Sequence, residues 1–299
     1  MRVIAAPDKF RGTATAREIA DAIVRGAVSV GASAEALPMA DGGEGTLEAL
    51  GGGNRRSTVT GPLGAPVEAE WRLAGRVAVI EMARASGLVL AGGAEGNEPL
   101  DAMTTGTGEL IREAVESGAR RVIVAVGGSA TTDGGLGALR AMGSPARYRG
   151  VELIVACDVR TPFTGAAEVF GPQKGASPAQ VELLRRRLVR LAQQYEEEFG
   201  IDVADLSRAG AAGGLAGGLG GEDAGRVADI GDGAARQVAA RALGEDAGLV
   251  LASQNGADLH RLDTRRLDGG DRHLVDQDTR LDHDVFGQRM QMVDGRGAA

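Results

Sequence analysis

Twice in this sequence an apolar run opens into a cluster of glycines and then into a helical pattern. Ala36, Leu37 and Met39 lead into Asp41-Gly42-Gly43-Glu44-Gly45, and Thr46, Leu47, Ala49 and Leu50 lead out. Val122-Ile123-Val124-Ala125-Val126 leads into Gly127-Gly128-Ser129-Ala130-Thr131-Thr132-Asp133-Gly134-Gly135, followed by a helical run from Leu136 to Met142. Strand–glycine turn–helix units belong to α/β sheets, which take their ligands at the carboxyl ends of the strands. Glycine lets such a turn adopt φ > 0 and approach a ligand closely. Amides at the start of the next helix suit an anion such as phosphate. Asp41 and Glu44 within one turn suit a hard cation beside that anion, and the hydroxyls of Ser129, Thr131 and Thr132 suit phosphate oxygens. The second turn is neither a Walker A loop nor a dinucleotide fingerprint, since no G-K-[ST] closes it and the G-x-G-x-x-G spacing fails. Taken singly, each turn also reads as a glycine-rich connector with acidic or Ser/Thr-capped ends.

The remaining pattern agrees with an α/β chain. Residues 2–6 read as a strand ending at Pro7, with Asp8-Lys9-Phe10-Arg11-Gly12 as the loop at its carboxyl end. Thr15 and Glu18 form a capping box for a helix that Gly31 stops. A second strand is expected at about 34–39. Beyond Gly51-Gly52-Gly53 three short strands, 58–60, 67–73 and 77–82, alternate as an antiparallel meander. A second domain is therefore expected to begin near residue 60. Helix signals resume at 104–118, and the strand 151–157 ends at Asp158. A long helix spans 178–198 behind Ser177 as N-cap, Pro178 at its first position and Gln180 at its third. Its arginine run, 185–187, reads as a solvated face. The pattern weakens after Gly221, and from Gln254 no element is expected. An Arg-Leu-Asp rhythm recurs there, with all three histidines, His260, His273 and His283. General bases in the main body must then be carboxylates or lysines.

Composition narrows the partners. A net charge of −8 argues against a nucleic acid, whose phosphates need a basic footprint. No apolar run approaches the roughly 20 residues of a membrane span, and residues 1–7 are too short for a signal peptide. The single cysteine, Cys157, excludes an internal disulfide and points to the reducing cytoplasm. Of 33 basic residues only Lys9 and Lys174 are lysines, and both sit in glycine-containing turns. A lysine there offers a compact charge for phosphate.

Eight motifs in order then define a resemblance: A-A-P-D-K-F-R-G (5–12), P-M-A-D-G-G-E-G-T (38–46), V-T-G-P-L-G (59–64), T-T-G-T-G-E-L-I (104–111), G-G-S-A-T-T-D-G-G (127–135), V-A-C-D-V (155–159), F-G-P-Q-K-G-A (170–176) and A-G-A-A-G-G-L (209–215). Over about residues 1–220 the chain resembles the bacterial type I glycerate kinase family, which phosphorylates D-glycerate from ATP with Mg²⁺. The resemblance implies two α/β domains with the active site between them. One is Rossmann-like with a parallel sheet, residues 1–60 plus about 245–299. The other is an inserted mixed-sheet α/β domain, residues 61–244. It further implies catalytic roles for Asp41, Asp158 and Lys9, with Asp41 and Asp158 the candidate bases. Substrate or nucleotide contacts fall to Asp8, Arg11, Gly42, Gly43, Glu44, Gly45, Thr46, Gly127, Gly128, Ser129, Thr131, Thr132, Asp133, Gly134 and Lys174. Asp41 and Glu44 would hold Mg²⁺, and Arg11 or Arg84 would meet the carboxylate of glycerate. Two departures stand out: a short link between Met142 and Val151, and the absence of the family's late G-E-G-R-L-D motif. The second leaves the Rossmann-like domain incomplete, as a frameshift or truncation would. The alternative reading is accordingly an impaired relative that at most binds nucleotide or a small organic acid.

Overall fold

The computed structural model describes residues 2–7 and 13–220, and the backbone of three later strands at 225–229, 248–252 and 259–262. In chain order the elements are β1 (Arg2–Pro7), α1 (Ala16–Ser29), β2 (Ser33–Ala36), α2 (Thr46–Ala49), β3 (Arg55–Thr60), β4 (Pro66–Ala74), β5 (Val77–Glu81), α3 (Ala83–Ser86), α4 (Gly93–Gly96), α5 (Thr105–Glu116) and β6 (Arg121–Ala125). There follow α6 (Leu136–Met142), β7 (Glu152–Cys157), α7 (Ala166–Phe170), α8 (Pro178–Phe199), α9 (Leu215–Leu219), β8 (Gly225–Asp229), β9 (Gly248–Ala252) and β10 (Leu259–Leu262). They form two compact units, Met1–Pro38 with Leu243–Ala299, and Met39–Ala242. The division precedes the Asp41–Thr46 turn. The change of texture near residue 60 marks the start of the meander instead.

In the first unit the strand order is β10-β9-β1-β2. β1 runs parallel to both β2 and β9, and β10 runs antiparallel to β9. The expected capping box starts α1: Glu18 N–H donates to Thr15 Oγ1 at 3.2 Å, and Thr15 N–H to Glu18 Oε2 at 2.8 Å. Ile4 and Ala5 of β1 and Ala20 and Ala27 of α1 supply buried apolar surface. β10 corrects the expectation that nothing forms after Gln254. Four residues are too few for alternation to register in a sequence, and the strand is defined by its pairing with β9.

In the second unit the order is β3-β4-β5-β6-β7-β8. The first three strands are the antiparallel meander, and β5 to β8 are parallel. On β4, Ala69 and Trp71 face the core while Glu68 faces solvent, as alternation requires. The indole N–H of Trp71 donates to Ser57 Oγ at 2.9 Å. β8 lies where the sequence pattern weakens. One core packs the sheet against α5, α6 and α9 through Ile80, Leu110, Ile111, Val124 and Leu215. A second gathers Phe163 with Leu184, Leu188 and Tyr195 of α8. That helix carries the expected Ser177–Gln180 capping box, and Arg185 and Arg186 pair with Glu182 on its outer face. Among the described residues no helix is long and apolar enough to cross a membrane.

Candidate active site

The two glycine turns meet at the carboxyl edge of the parallel strands of the second unit. Gly127 N–H donates to Gly42 O at 2.9 Å. A Cβ on Gly127 would lie 2.5 Å from Gly43 Cα, and one on Gly42, at φ +85°, would lie 2.3 Å from Ala156 O on β7. Backbone touches backbone at both points, so no side chain fits, which is the physical reason for glycine here. Gly43 N–H donates to Asp41 Oδ1 at 2.8 Å, and Thr46 Oγ1 donates to Gly43 O at 2.7 Å. The contact gathers Asp41–Thr46, the start of the 127–135 turn and the carboxyl end of β7, where Asp158 follows Cys157. Asp41 is half-buried, and Glu44 and Asp158 are exposed.

The helix starts after both turns are already filled by internal carboxylates. Glu81, at the end of β5, accepts Gly45 N–H at 2.9 Å and Leu47 N–H at 2.8 Å on Oε1. Its Oε2 accepts Arg84 Nε at 3.0 Å, and Arg84 reaches on to Glu48 and Glu70. Asp133 Oδ2 accepts Thr104 N–H at 2.9 Å, Thr104 Oγ1 at 2.8 Å and Gly137 N–H at 3.1 Å, while Oδ1 accepts Gly135 N–H at 3.2 Å. The sequence expectation that these helix-start amides face a phosphate is thereby corrected: Asp133 joins the starts of α5 and α6, and Glu81 holds the start of α2. Arg84, a candidate for the substrate carboxylate, is committed to three glutamates. Gly134 packs in the second core, where a Cβ would lie 2.4 Å from Leu191 Cδ2 and its carbonyl accepts Tyr195 OH at 3.0 Å.

Between these caps, Gly127–Thr132 is supported from behind. Lys174 is 2% exposed, and its Nζ donates to Thr131 O at 2.6 Å. Burial pushes its pKa down to about 7, against the opposing pull of the Asp133 charge. Asn97 Nδ2 donates to Ala130 O at 3.1 Å and Lys174 O at 2.9 Å. The hydroxyls of Thr131 and Thr132 are buried and have no partner among the described residues. No described residue accepts from the amides of Gly128 and Ser129. Glu81 and Asn97 were missed by the sequence reading. A carboxylate closing the apolar run Val77-Ala78-Val79-Ile80 was a signal for Glu81, and nothing local marks Asn97.

Asp8, Lys9 and Arg11 lie outside the described residues, as do His273 and His283. Among the described residues no group of three or more His, Cys, Asp or Glu is placed to hold a metal. A groove of about 560 Å³ between β3 and α5, lined by Thr60, Glu109 and Arg112 among others, contains none of the candidate residues.

Comparison with known proteins places the sequence and the fold. The model of the glycerate kinase family matches residues 3–146 and 144–228. The break between the two matches falls at the short link after Met142, and the second match ends before β9. The chain is 42% identical over 254 residues to a glycerate kinase of Bacillus subtilis, covering 72% of this chain and 66% of that one. It is 39% identical over 254 residues to a glycerate 2-kinase of Escherichia coli, with the same two coverages, 72% and 66%. The chain thus spans just under two thirds of the length of these relatives. A crystal structure described as glycerate kinase 2 of Salmonella typhimurium LT2 superposes with a TM-score of 0.68 at 37% identity, covering 77% of this chain and 72% of that one.

Proposed function

The chain belongs to the glycerate kinase family, and we propose that it transfers the terminal phosphoryl group of ATP to a hydroxyl of D-glycerate. The observation that supports the reading is the Gly127–Gly42 contact, which joins the turn that carries Asp41 to the turn that carries the amides of Gly128 and Ser129. Phosphoryl transfer needs positioning and charge neutralisation more than covalent chemistry from the protein. The amides of Gly128 and Ser129 hold phosphate oxygens. Lys174 and Asn97 brace that segment from behind. Asp41 or Asp158 accepts the proton of the attacking hydroxyl, since no histidine lies among the described residues with resolved side chains. Asp41 and Glu44 fit Mg²⁺, which commonly takes one or two carboxylates alongside phosphate oxygens and water. Bound there, the ion neutralises phosphate charge. Lys9 and Arg11 retain by motif alone the roles of phosphate and carboxylate partners. A cytoplasmic setting fits the same reading, because ATP is supplied there and the single cysteine, Cys157, leaves no internal disulfide to form.

A second reading, an impaired relative that at most binds nucleotide or a small organic acid, rests on residues 229–299, which lie outside the family match and hold no G-E-G-R-L-D motif. A coupled ADP-release assay on the full chain with D-glycerate, ATP and Mg²⁺ decides between them. Turnover that disappears in Asp41→Asn or Asp158→Asn is the expected result. A folded protein whose melting temperature rises with ATP, but which shows no turnover, would establish the second reading.

A further inference from the structure

We propose that Glu81 is the positioning residue of the Asp41–Thr46 turn, the remote carboxylate that fixes its conformation; its bearing on catalysis rests on the phosphotransfer reading above. A buried carboxylate is costly unless it is paired and hydrogen-bonded. Glu81 is 2% exposed and satisfies that condition with Gly45 N–H, Leu47 N–H and Arg84 Nε.

Local bonds hold the first half of the turn, where Asp41 accepts Gly43 N–H, but the start of α2 has no local side-chain cap and needs such an anchor. Gly45 stands at the N-cap of α2 with φ +96° and makes no side-chain cap. The next residue that could cap, Thr46, directs its hydroxyl back to Gly43 O instead. Three glycines in five residues leave the backbone with many conformations to lose. A Cβ on Gly45 would meet nothing within 4 Å, so packing does not confine that residue either. Glu81 supplies the missing restraint from 36 residues away, at the strand end beside the other turn. Arg84 holds its second oxygen and is itself held by Glu48 and Glu70. Two charge-assisted bonds to one oxygen fix both the position and the direction of the peptide units that follow Glu44.

The test compares Glu81→Gln and Glu81→Ala with the parent in the full chain. Hydrogen exchange at Gly45 and Leu47 is measured together with steady-state kinetics. In Glu81→Ala both amides should exchange about 10- to 100-fold faster, the scale expected for loss of hydrogen bonds to a charged acceptor. Glu81→Gln keeps an acceptor for the amides and should change less, which makes it the conservative rescue. kcat should fall in the same order, by a larger factor than any rise in KM for glycerate, because the turn carries a candidate base and not the bulk of the substrate contacts. Unchanged exchange at both amides overturns the proposal, as does parental kcat despite faster exchange. If Glu81→Ala does not fold, the Glu81→Gln comparison decides. If the parent itself shows no turnover, the phosphotransfer reading fails, and the exchange rates still decide whether Glu81 holds the turn.

Discussion

Replacing Gly42 by alanine tests whether the two glycine turns are pressed together as described. At φ +85° an alanine carries left-handed backbone strain of about 1–2 kcal/mol. Its Cβ would also lie 2.3 Å from Ala156 O and 2.6 Å from Ala156 C, both backbone atoms of β7 that cannot swing aside. Forcing a methyl group into a filled site costs a further 1–3 kcal/mol or so, for a total of roughly 2–5 kcal/mol. Gly45→Ala is the matched control, with the same sign of φ, +96°, but open space around the added Cβ. It should carry the strain alone, roughly 1–2 kcal/mol. In a unit of this size each kcal/mol moves the melting temperature by about 2–4 °C. Thermal unfolding followed by Trp71 fluorescence should therefore show a Gly42→Ala shift clearly larger than that of Gly45→Ala. Equal shifts would refute the backbone contact, and with it the assembly of the site at this edge.

Ser57→Ala leaves the buried indole N–H of Trp71 without its acceptor and should destabilise by about 1–3 kcal/mol in urea titrations; an unchanged midpoint would mean the indole finds another partner. Asp133→Ala removes the acceptor of four donors at the starts of α5 and α6, and should lower the melting temperature in the absence of ligand. Parental stability combined with lost ATP binding would instead make Asp133 a ligand-contacting residue. Lys174 gives a pH signature. Its folded pKa is lowered to about 7 from the usual 10.5, so between those values the unfolded chain binds a proton that the folded chain lacks. Stability then rises with pH across that window. Lys174→Met should flatten the rise, and a slope identical to the parent's between pH 7.5 and 10, a range chosen inside the window, would place the lysine in solvent.

What the sequence made legible was local. The capping boxes at Thr15 and Ser177 need only residues three apart, and both helices begin where those boxes place them. The meander follows from alternation and from the turns at Gly61–Gly64 and Gly75. The buried strands β6 and β7 follow from apolar runs. What stayed hidden depends on distant partners. Glu81 reaches amides 34 and 36 residues away, and Asp133 reaches Thr104 across 29. No local pattern carries that information, so Asp133 read as a ligand contact and Glu81 read as nothing. β8 and β10 are short strands defined by the neighbours they pair with.

The internal carboxylates also bear on where a phosphate can sit. The amides at the start of a helix attract an anion, and glycine-rich turns ahead of helices invite that assignment. Here Glu81 and Asp133 already occupy both helix starts, so a phosphate placed there would meet a like charge. At about 4 Å and an effective dielectric constant of 20, each such pair costs about 4 kcal/mol. That exceeds the roughly 1.5–3 kcal/mol that one additional amide hydrogen bond to a charged acceptor returns. Among the described residues, donors without an acceptor remain between the caps, among them the amides of Gly128 and Ser129 and the hydroxyls of Thr131 and Thr132, on a segment held from behind by Lys174 and Asn97. The glycines and carboxylates of this chain are therefore divided by task. Gly42, Gly43 and Gly127 let the turns touch, and Glu81 and Asp133 lock the helix starts. Asp41 and Glu44 belong to the first of these turns and Asp158 follows β7, and under the proposed transfer the phosphoryl donor and its acceptor would meet there.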